Sequence, residues 1–410
     1  GADAAYNPRE WERHDLELMV VAGREQRIPV LVGSAGGAGT NRSVDLYVEI
    51  VREIARERGL PPFRVAAIYA EVSRDYLQER LAERTEVPGL GAPRPLGLDG
   101  VEASCRIVAM MGVEPYLRAL DLGADVIVAG RSCDDAVFAA VPIHRGRDRA
   151  LSLHMGKTIE CGPLVGTPVL MREAVLGTVG PDYFLVEPLH PGQVCTPASV
   201  VGHTLYERTD PYFQAGPGGT LDLTRATYVQ HDPRTVRVTG SAYLPDPAYR
   251  VKLEGAGWVG HRALMIAGLR DRLSIANLDA ILEFIRGEVR RIYPRHAPDK
   301  DYQLFFHVYG KNAVMQELEP LKHVQPHEVG IVMEAIAPEP GLAENIAKLG
   351  KYSIFRAHYP GKLGVAGGAA LLADEVLKAS HEAYRWTIDH LLPLRDPLEL
   401  FPIRLIEVGT

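Results

Sequence analysis

The chain has 410 residues, 46% of them hydrophobic and 24% charged, which is longer than one hydrophobic core usually serves and ordinary in composition for a globular enzyme. Its 45 basic and 52 acidic residues leave a net charge of −7, and no basic block stands out, which argues against nucleic acid as a partner. Cys105, Cys133, Cys161 and Cys195 lie far apart with no C-x-x-C pair, excluding a disulfide framework and the usual zinc spacing and fitting a reducing cytoplasm.

No charge-free apolar stretch approaches the roughly 18 residues of a membrane helix. The opening "GADAAYNPREWERHD" lacks an apolar signal core, so the chain reads as unexported and away from membranes. Its first residue is not Met, and some of the native N-terminus is expected to be absent.

In chain order, "PREWERHDLELMVVAGREQR" carries Trp11, Leu18, Val21 and Ala22 among charges, the pattern of a surface helix. "IPVLVG" reads as a buried strand. After the loop "GSAGGAGTN", residues Val44, Tyr47, Val48, Val51, Ile54 and Ala55 follow helical spacing, with Asn41 or Ser43 as N-cap and Gly59 as stop. "FRVAAIYAEV" is the next strand, "SRDYLQERLAER" the next helix, and "ADVIVAG" a strand apolar enough for burial on both faces. This alternation predicts an α/β fold with a mostly parallel, Rossmann-like sheet in the N-terminal half. Ligands of such sheets bind outside the carboxyl ends of the strands, which sets "GSAGGAGTN", "EVSRD" and "GRSCDD" along a single edge. The Gly- and Pro-rich segment 210–222 marks the seam. The expected division is 1–212, an α/β domain with a glycine-rich anion-binding loop, and 213–410, an α+β domain with antiparallel pairing.

The loop matches a dinucleotide fingerprint only in part: Gly37 and Gly39 supply the first pair, but Arg42 occupies the third glycine's place. A P-loop needs a lysine, and Gly39-Thr40-Asn41 offers none. No nucleotide cofactor is expected. Two readings remain: Ser34, Gly36, Gly37, Gly39 and Asn41 hold a carboxylate or phosphate at the start of a helix, or the glycines only relieve a tight strand-to-helix turn.

Several clusters can carry chemistry. Arg131 has the planar fork that clamps carboxylates, and the adjacent Asp134 and Asp135 compete for one proton environment, which separates their pKa values; the alternative is a capping aspartate paired with Arg131. In "HMGKTIECG", Lys157 and Glu160, with His154, share one helical face, as a proton relay or as an ion pair. In "CTPASVVGHTLYE", His203 and Glu207 sit four apart on an expected helix, a spacing that presents two candidate ligands to a divalent metal, too few alone. Cys195, with Thr196 beside it, reads as a substrate-binding or nucleophilic group if a basic partner lowers its pKa, and otherwise as a buried structural thiol. His358, Tyr359 and Lys362 precede a second glycine cluster, suited to acid/base work or to a plain turn.

The stretches "PVLVGSAGGAG", "GADVIVAGRSCDDAVFAA", "TIECG", "FLVEPLHPGQVCTPASVVGHTLYE", "VKLEGA", "VYGKN" and "FPIRLIEV" resemble the acyclic terpene utilisation family, the AtuA proteins, in matching order from near residue 28 to the end. Similar proteins usually carry an N-terminal strand and a Ser/Asp/Gly/Pro loop where this sequence has only "GADAAYNP", and part of that loop is expected to be missing between Ala4 and Ala5. The resemblance implies catabolism of branched acids derived from terpenes, beside acyl-CoA enzymes and a small companion protein.

The leading expectation is a cytoplasmic, homo-oligomeric lyase that adds or removes water on a branched carboxylic acid or its CoA thioester. Asp134 or Asp135 is the expected base, Arg131 and the amides of Gly36 to Gly39 the anion holder, and His203 or His358 the acid, oriented by Lys157 and Glu160. The alternatives are a non-catalytic ligand-binding subunit working with a small companion protein, and an isomerase of the same acids. The small anionic substrate and any metal stay unspecified by the sequence.

Overall fold

A computed structural model describes residues 1–364, 368–373, 375–379 and 382–409. The chain forms two compact units, one of Gly1, Asp3–Ala256 and Trp386–Thr410, the other of Ala2 and Gly257–Arg385. The expected seam at 212/213 therefore falls inside the first unit. Residues 213–256 stay there because their strands pack among themselves and against the helices before them, and the C-terminal strand returns to the first sheet.

That sheet is built from the apolar runs read as buried strands. Its order is Val30–Val32, Val126–Ala129, Phe63–Ile68, Ile403–Val408. The first three are parallel, in register Val30 with Val126 and Val65 with Val126. The fourth is antiparallel, with Ile403 opposite Ile68. Strand Arg106–Ala109, not singled out in the sequence, pairs antiparallel with residues 253–256. The sheet is mixed, and the expectation of a mostly parallel Rossmann-like sheet is corrected to a mixed α/β fold with several sheets. Eleven α-helices and 18 strands are found among the described residues.

The central strands are sealed on both faces, and alternate residues divide between them. Val65, Ala67, Val126 and Val128 pack with Leu16, Val20, Val44, Val48, Val51 and Ile54 from helices Arg9–Gln26 and Asn41–Arg58. Ala66, Ile68, Ile127 and Ala129 pack with Met111, Tyr116, Ala136 and Ala140 on the opposite face. Each fully buried Val or Ile contributes about 1.5–3 kcal/mol of transfer free energy, so this double seal is the main source of rigidity at the strand ends.

Helix Asn41–Arg58 begins one residue earlier than its spacing suggested. Thr40 is the N-cap, its hydroxyl accepting from the Ser43 amide, and Gly59 ends the helix in the left-handed region at φ 58°. Thr40→Ala is expected to lower the unfolding free energy by about 1 kcal/mol, measured by urea titration; an unchanged midpoint would mean the cap contributes nothing.

Two further antiparallel sheets complete the first unit. One runs Val175–Val179, Phe184–Pro188, Val236–Thr239, Thr227–Gln230; the other runs Ala242–Pro245, Gly219–Asp222, Phe213–Gly216. The first packs Phe184, Val186, Val236 and Val238 against Leu151, Met155 and Ile159 of helix Arg149–Ile159.

In the second unit, strand Val329–Ala337 pairs antiparallel with Gln303–Tyr309 on one side and with residues 261–269 on the other. Helices Leu278–Ile292 and Pro340–Arg356 cover one face, burying Ile281, Ile285, Val289, Ile346 and Ala347 against Ile331, Met333 and Ala335. Helices and antiparallel strands are segregated in this unit, whose bounds differ from the expected 213–410. No helix of the described residues is long and apolar enough to cross a membrane.

Candidate functional site

Three loops leave the carboxyl ends of the parallel strands, and the backbone laces them together. The amides of Ser34 and Ala35 donate to the carbonyls of Gly130 and Ala129, each at 3.0 Å, and the Arg131 amide donates to Gly39 at 3.1 Å. The Asn41 side-chain oxygen accepts from the amides of Ala70 and Glu71, both at 3.3 Å. Gly39, at φ +65°, has no room for a side chain: a Cβ there would lie 2.2 Å from the Arg131 nitrogen.

Two of the glycine loop's donors close its own turn. The Gly37 amide donates to Ser34 and the Gly39 amide to Ala35, while the Tyr6 amide caps the Gly36 carbonyl. The Asn41 amide is taken by Glu71. Close backbone approach is what Gly39 serves, since a Cβ there would meet Arg131.

Arg131 is likewise engaged. Its Nε donates to Glu254 at 2.7 Å and its Nη1 to the Ser132 carbonyl at 2.9 Å and the Ser34 hydroxyl at 3.3 Å. Burial works against the Glu254 charge, yet Arg131 and Lys252 hold its carboxyl below the usual range. Arg131 thus ties the loops to the strand carrying Glu254, and most of its fork is unavailable to a ligand.

Chemistry gathers one turn further on. Helix Asp134–His144 crosses helix Arg149–Ile159 at Gly156, where a Cβ would lie 2.3 Å from the Asp135 carbonyl oxygen. That crossing brings Lys157 and Glu160 beside the two aspartates. Lys157 is fully buried, with 1% of its side chain exposed, and its ammonium donates to Glu160, whose side chain is 7% exposed. Burial raises the Glu160 pKa against the pull of Lys157, with Asp134 and Asp135 adding to the rise.

Asp134 opens the helix at the solvent edge. The surrounding protein pushes its carboxyl pKa up, and Asp135 adds to this against Arg131, Lys157 and Arg208. Asp135 is buried and faces the Cys133 thiol, whose pKa burial and that carboxylate drive well above its ordinary value. On its inner side Asp135 borders a cavity of about 20 Å³ lined by Arg149, Gln214 and Tyr243, space for about one water molecule.

His203 completes the cluster. Helix Pro197–Leu205 stops two residues short of Glu207, which sits exposed in a left-handed turn at φ 59°. The expected pairing of His203 and Glu207 along one helix is corrected accordingly: Glu207 approaches through the turn after the helix. His203 is 7% exposed, and its Nε2 has no hydrogen-bond partner among the described residues. Burial and Lys157 lower its pKa while Glu207 opposes them, so the imidazole is neutral and is a hydrogen-bond partner or ligand rather than a ready proton donor.

Other expected residues lie elsewhere. Cys195 is fully buried in the core beside Phe184 and Val236, with its pKa pushed up to about 11 by burial. Thr196 forms a capping box with Ser199. Both have packing and capping roles, because their polar atoms are spent or sealed. His358 is exposed after helix Pro340–Arg356, in the second unit; beside it Tyr359 bonds Ser274 and Lys362 bonds the carbonyls of Phe355 and Ala357. Part of the second glycine cluster, residues 365–367, lies outside the described residues.

His154 faces away from the cluster, bonding Ser241 at 2.7 Å and Tyr228 at 3.2 Å. Burial lowers its pKa from 6.5 to about 3. Between those values the unfolded chain binds a proton that the fold refuses, so stability falls on acidification through this window, by at most about 1.4 kcal/mol per pH unit. His154→Gln is expected to flatten that slope in denaturant titrations at stepped pH, and an unaltered slope would acquit His154.

The sequence reading passed over Cys161 and Arg208. Cys161 directly follows Glu160 in the turn after the helix, and its adjacency to a candidate acid was the available signal. Arg208 makes no hydrogen bond or ion pair among the described residues, yet its charge acts on Asp134 and Cys133. Only folding reveals that it faces them.

A family model described as acyclic terpene utilisation family protein AtuA matches residues 1–172 and 182–381. No curated protein and no solved structure matches the chain significantly. With the match spanning nearly its whole length, the chain belongs to the acyclic terpene utilisation family, and its role lies in acyclic terpene utilisation.

Proposed function

We propose that the chain is a cytoplasmic hydro-lyase that dehydrates, or in reverse hydrates, a branched carboxylic acid or its CoA thioester. The observation that carries this reading is a raised-pKa carboxylate, Asp134, at the solvent edge of a cluster holding a buried Lys157–Glu160 pair. A base near the operating pH and a positioned donor are what α-proton abstraction with loss of a β-hydroxyl requires.

In this mechanism Asp134 takes the α-proton. The negative charge that develops on the substrate's carboxyl or thioester oxygen is met by Arg208, whose guanidinium is otherwise unpaired among the described residues. Lys157, held by Glu160, delivers a proton to the departing hydroxyl, which leaves as water. His203 lines the cluster beside Lys157. Asp134 then returns its proton to solvent and Lys157 regains one, restoring the starting state. Lys157 is already fixed by Glu160, and a positive centre fixed in advance stabilises developing charge most.

The test is a panel of branched β-hydroxy acids, their unsaturated counterparts and the CoA thioesters of both, incubated in deuterated water. The expected result is loss or gain of water by at least one member, with deuterium entering the α-position. A ligand at 100 times its Kd also adds about 2.7 kcal/mol to stability, so the same panel is read by thermal shift. Exchange without net dehydration indicates an isomerase, and binding without exchange indicates a ligand-binding subunit; either result overturns the lyase.

A further inference from the structure

We infer that Glu160, Cys161 and His203 form a binding site for one divalent transition-metal ion, zinc by the chemistry of the set. This inference concerns binding and stands whether or not the lyase reading holds. One carboxylate oxygen, the Cys161 sulfur and one ring nitrogen of His203 all lie within 4.8 Å of one another. In a tetrahedral site with metal–ligand bonds of about 2.0–2.3 Å, the ligand atoms stand roughly 3.3–3.8 Å apart, so closure asks each side chain to move by about an ångström or less.

The local chain explains why these three meet. Helix Arg149–Ile159 gives way at Glu160 to a short 3-10 turn, Gly162–Val165, and Gly162 takes the left-handed φ of 56°. Glu160 and Cys161 thus leave one tight turn side by side. His203 comes from the last turn of helix Pro197–Leu205, 42 positions on.

The second observation is the unspent imidazole. His203 is buried to more than nine-tenths, and its Nε2 has no partner among the described residues. A buried ring nitrogen left unbonded costs about 1–3 kcal/mol, and a metal ion removes that cost. Glu160 is prepared in the complementary way: Lys157 donates to its Oε1, leaving the other oxygen for a metal and fixing the carboxylate's orientation from behind.

The softness of the donor set chooses the ion. A thiolate and an imidazole beside one carboxylate suit zinc and exclude magnesium and calcium, which take oxygen ligands. Three protein ligands leave a fourth position open, the pattern of zinc sites that hold a water or a substrate oxygen.

The full-length protein, stripped by chelation and checked by circular dichroism, is titrated with cobalt(II) alone and then with zinc. One equivalent of cobalt is expected to bind in a tetrahedral, thiolate-containing environment, seen as sulfur-to-cobalt charge transfer, and zinc is expected to displace it. Cys161→Ser should abolish the charge-transfer band, and His203→Gln should weaken cobalt binding by more than the roughly 10–100-fold that an outer-sphere change costs. Should a variant fail to fold, alkylation of the wild-type chain replaces it: zinc should protect Cys161 and leave the exposed Cys105 reactive. Absence of the sulfur band, unchanged binding by Cys161→Ser, or equal alkylation of Cys161 with and without zinc would overturn the site.

Discussion

Lys157→Met is expected to lower the free energy of unfolding by about 3–5 kcal/mol, the usual cost of stranding one member of a buried ion pair. Lys157 and Glu160 are both almost wholly removed from water, with 1% and 7% of their side chains exposed. Removing the ammonium leaves a carboxylate beside Asp134 and Asp135 with no counter-charge at contact. The double variant Lys157→Met/Glu160→Leu removes the stranded charge too and is expected to recover most of the loss, since apolar replacement of a buried pair is often neutral.

The pH dependence of that loss has a definite sign. Burial already raises the folded-state pKa of Glu160, so its protonated form is favoured in the fold, and the associated stability is present below the unfolded value of about 4.3 and lost as pH rises through the folded value. Without Lys157 the folded value climbs further. The deficit of Lys157→Met should therefore shrink as pH falls, read by urea titration at stepped pH. A deficit below about 1 kcal/mol, or one equal at every pH, would show that the pair is solvated in solution.

The second large effect falls on chemistry. Asp134→Asn should slow α-deuterium exchange by about 10²–10⁴-fold, the contribution of a positioned base, while the thermal shift given by the same ligand persists. In the wild-type chain exchange should rise with pH through a pKa above the ordinary 3.8 of an aspartate, because burial and Asp135 raise it; the variant should lack that limb. Asp135→Asn should act mainly on stability, since Asp135 is buried against the Cys133 thiol. If the two variants lost exchange equally, the base could not be assigned to Asp134.

The strands at 30–32, 63–68 and 126–129 were readable because their apolar runs are long enough to demand burial on both faces. The C-terminal strand at 403–408 was invisible as a member of the same sheet, since nothing local couples Ile403 to Ile68. Its antiparallel entry is what departs from the parallel pattern. The seam was misplaced for a related reason: Gly and Pro at 210–222 mark a tight hairpin, Phe213–Gly216 with Gly219–Asp222, and hairpins and linkers draw on the same residues.

At the cluster, Asp134, Lys157, Glu160 and His203 were singled out from spacing, yet the contact uniting them depends on Gly156, whose missing side chain lets two helices touch. The glycine loop was the more conspicuous motif, and the amides of Gly37 and Gly39 close on Ser34 and Ala35. Arg131 was read as a clamp for ligand because its partner, Glu254, lies 123 positions away. Buried pairs of that kind leave no local trace.

The alternation along strands Phe63–Ile68 and Val126–Ala129 divides labour within a sheet thinner than a side chain is long. Residues turned one way support the helix that begins at Asp134, and those turned the other meet only the layer formed by Arg9–Gln26 and Asn41–Arg58. Truncating a buried side chain on either layer, Val48 on one or Met111 on the other, therefore loosens the same strands from opposite sides.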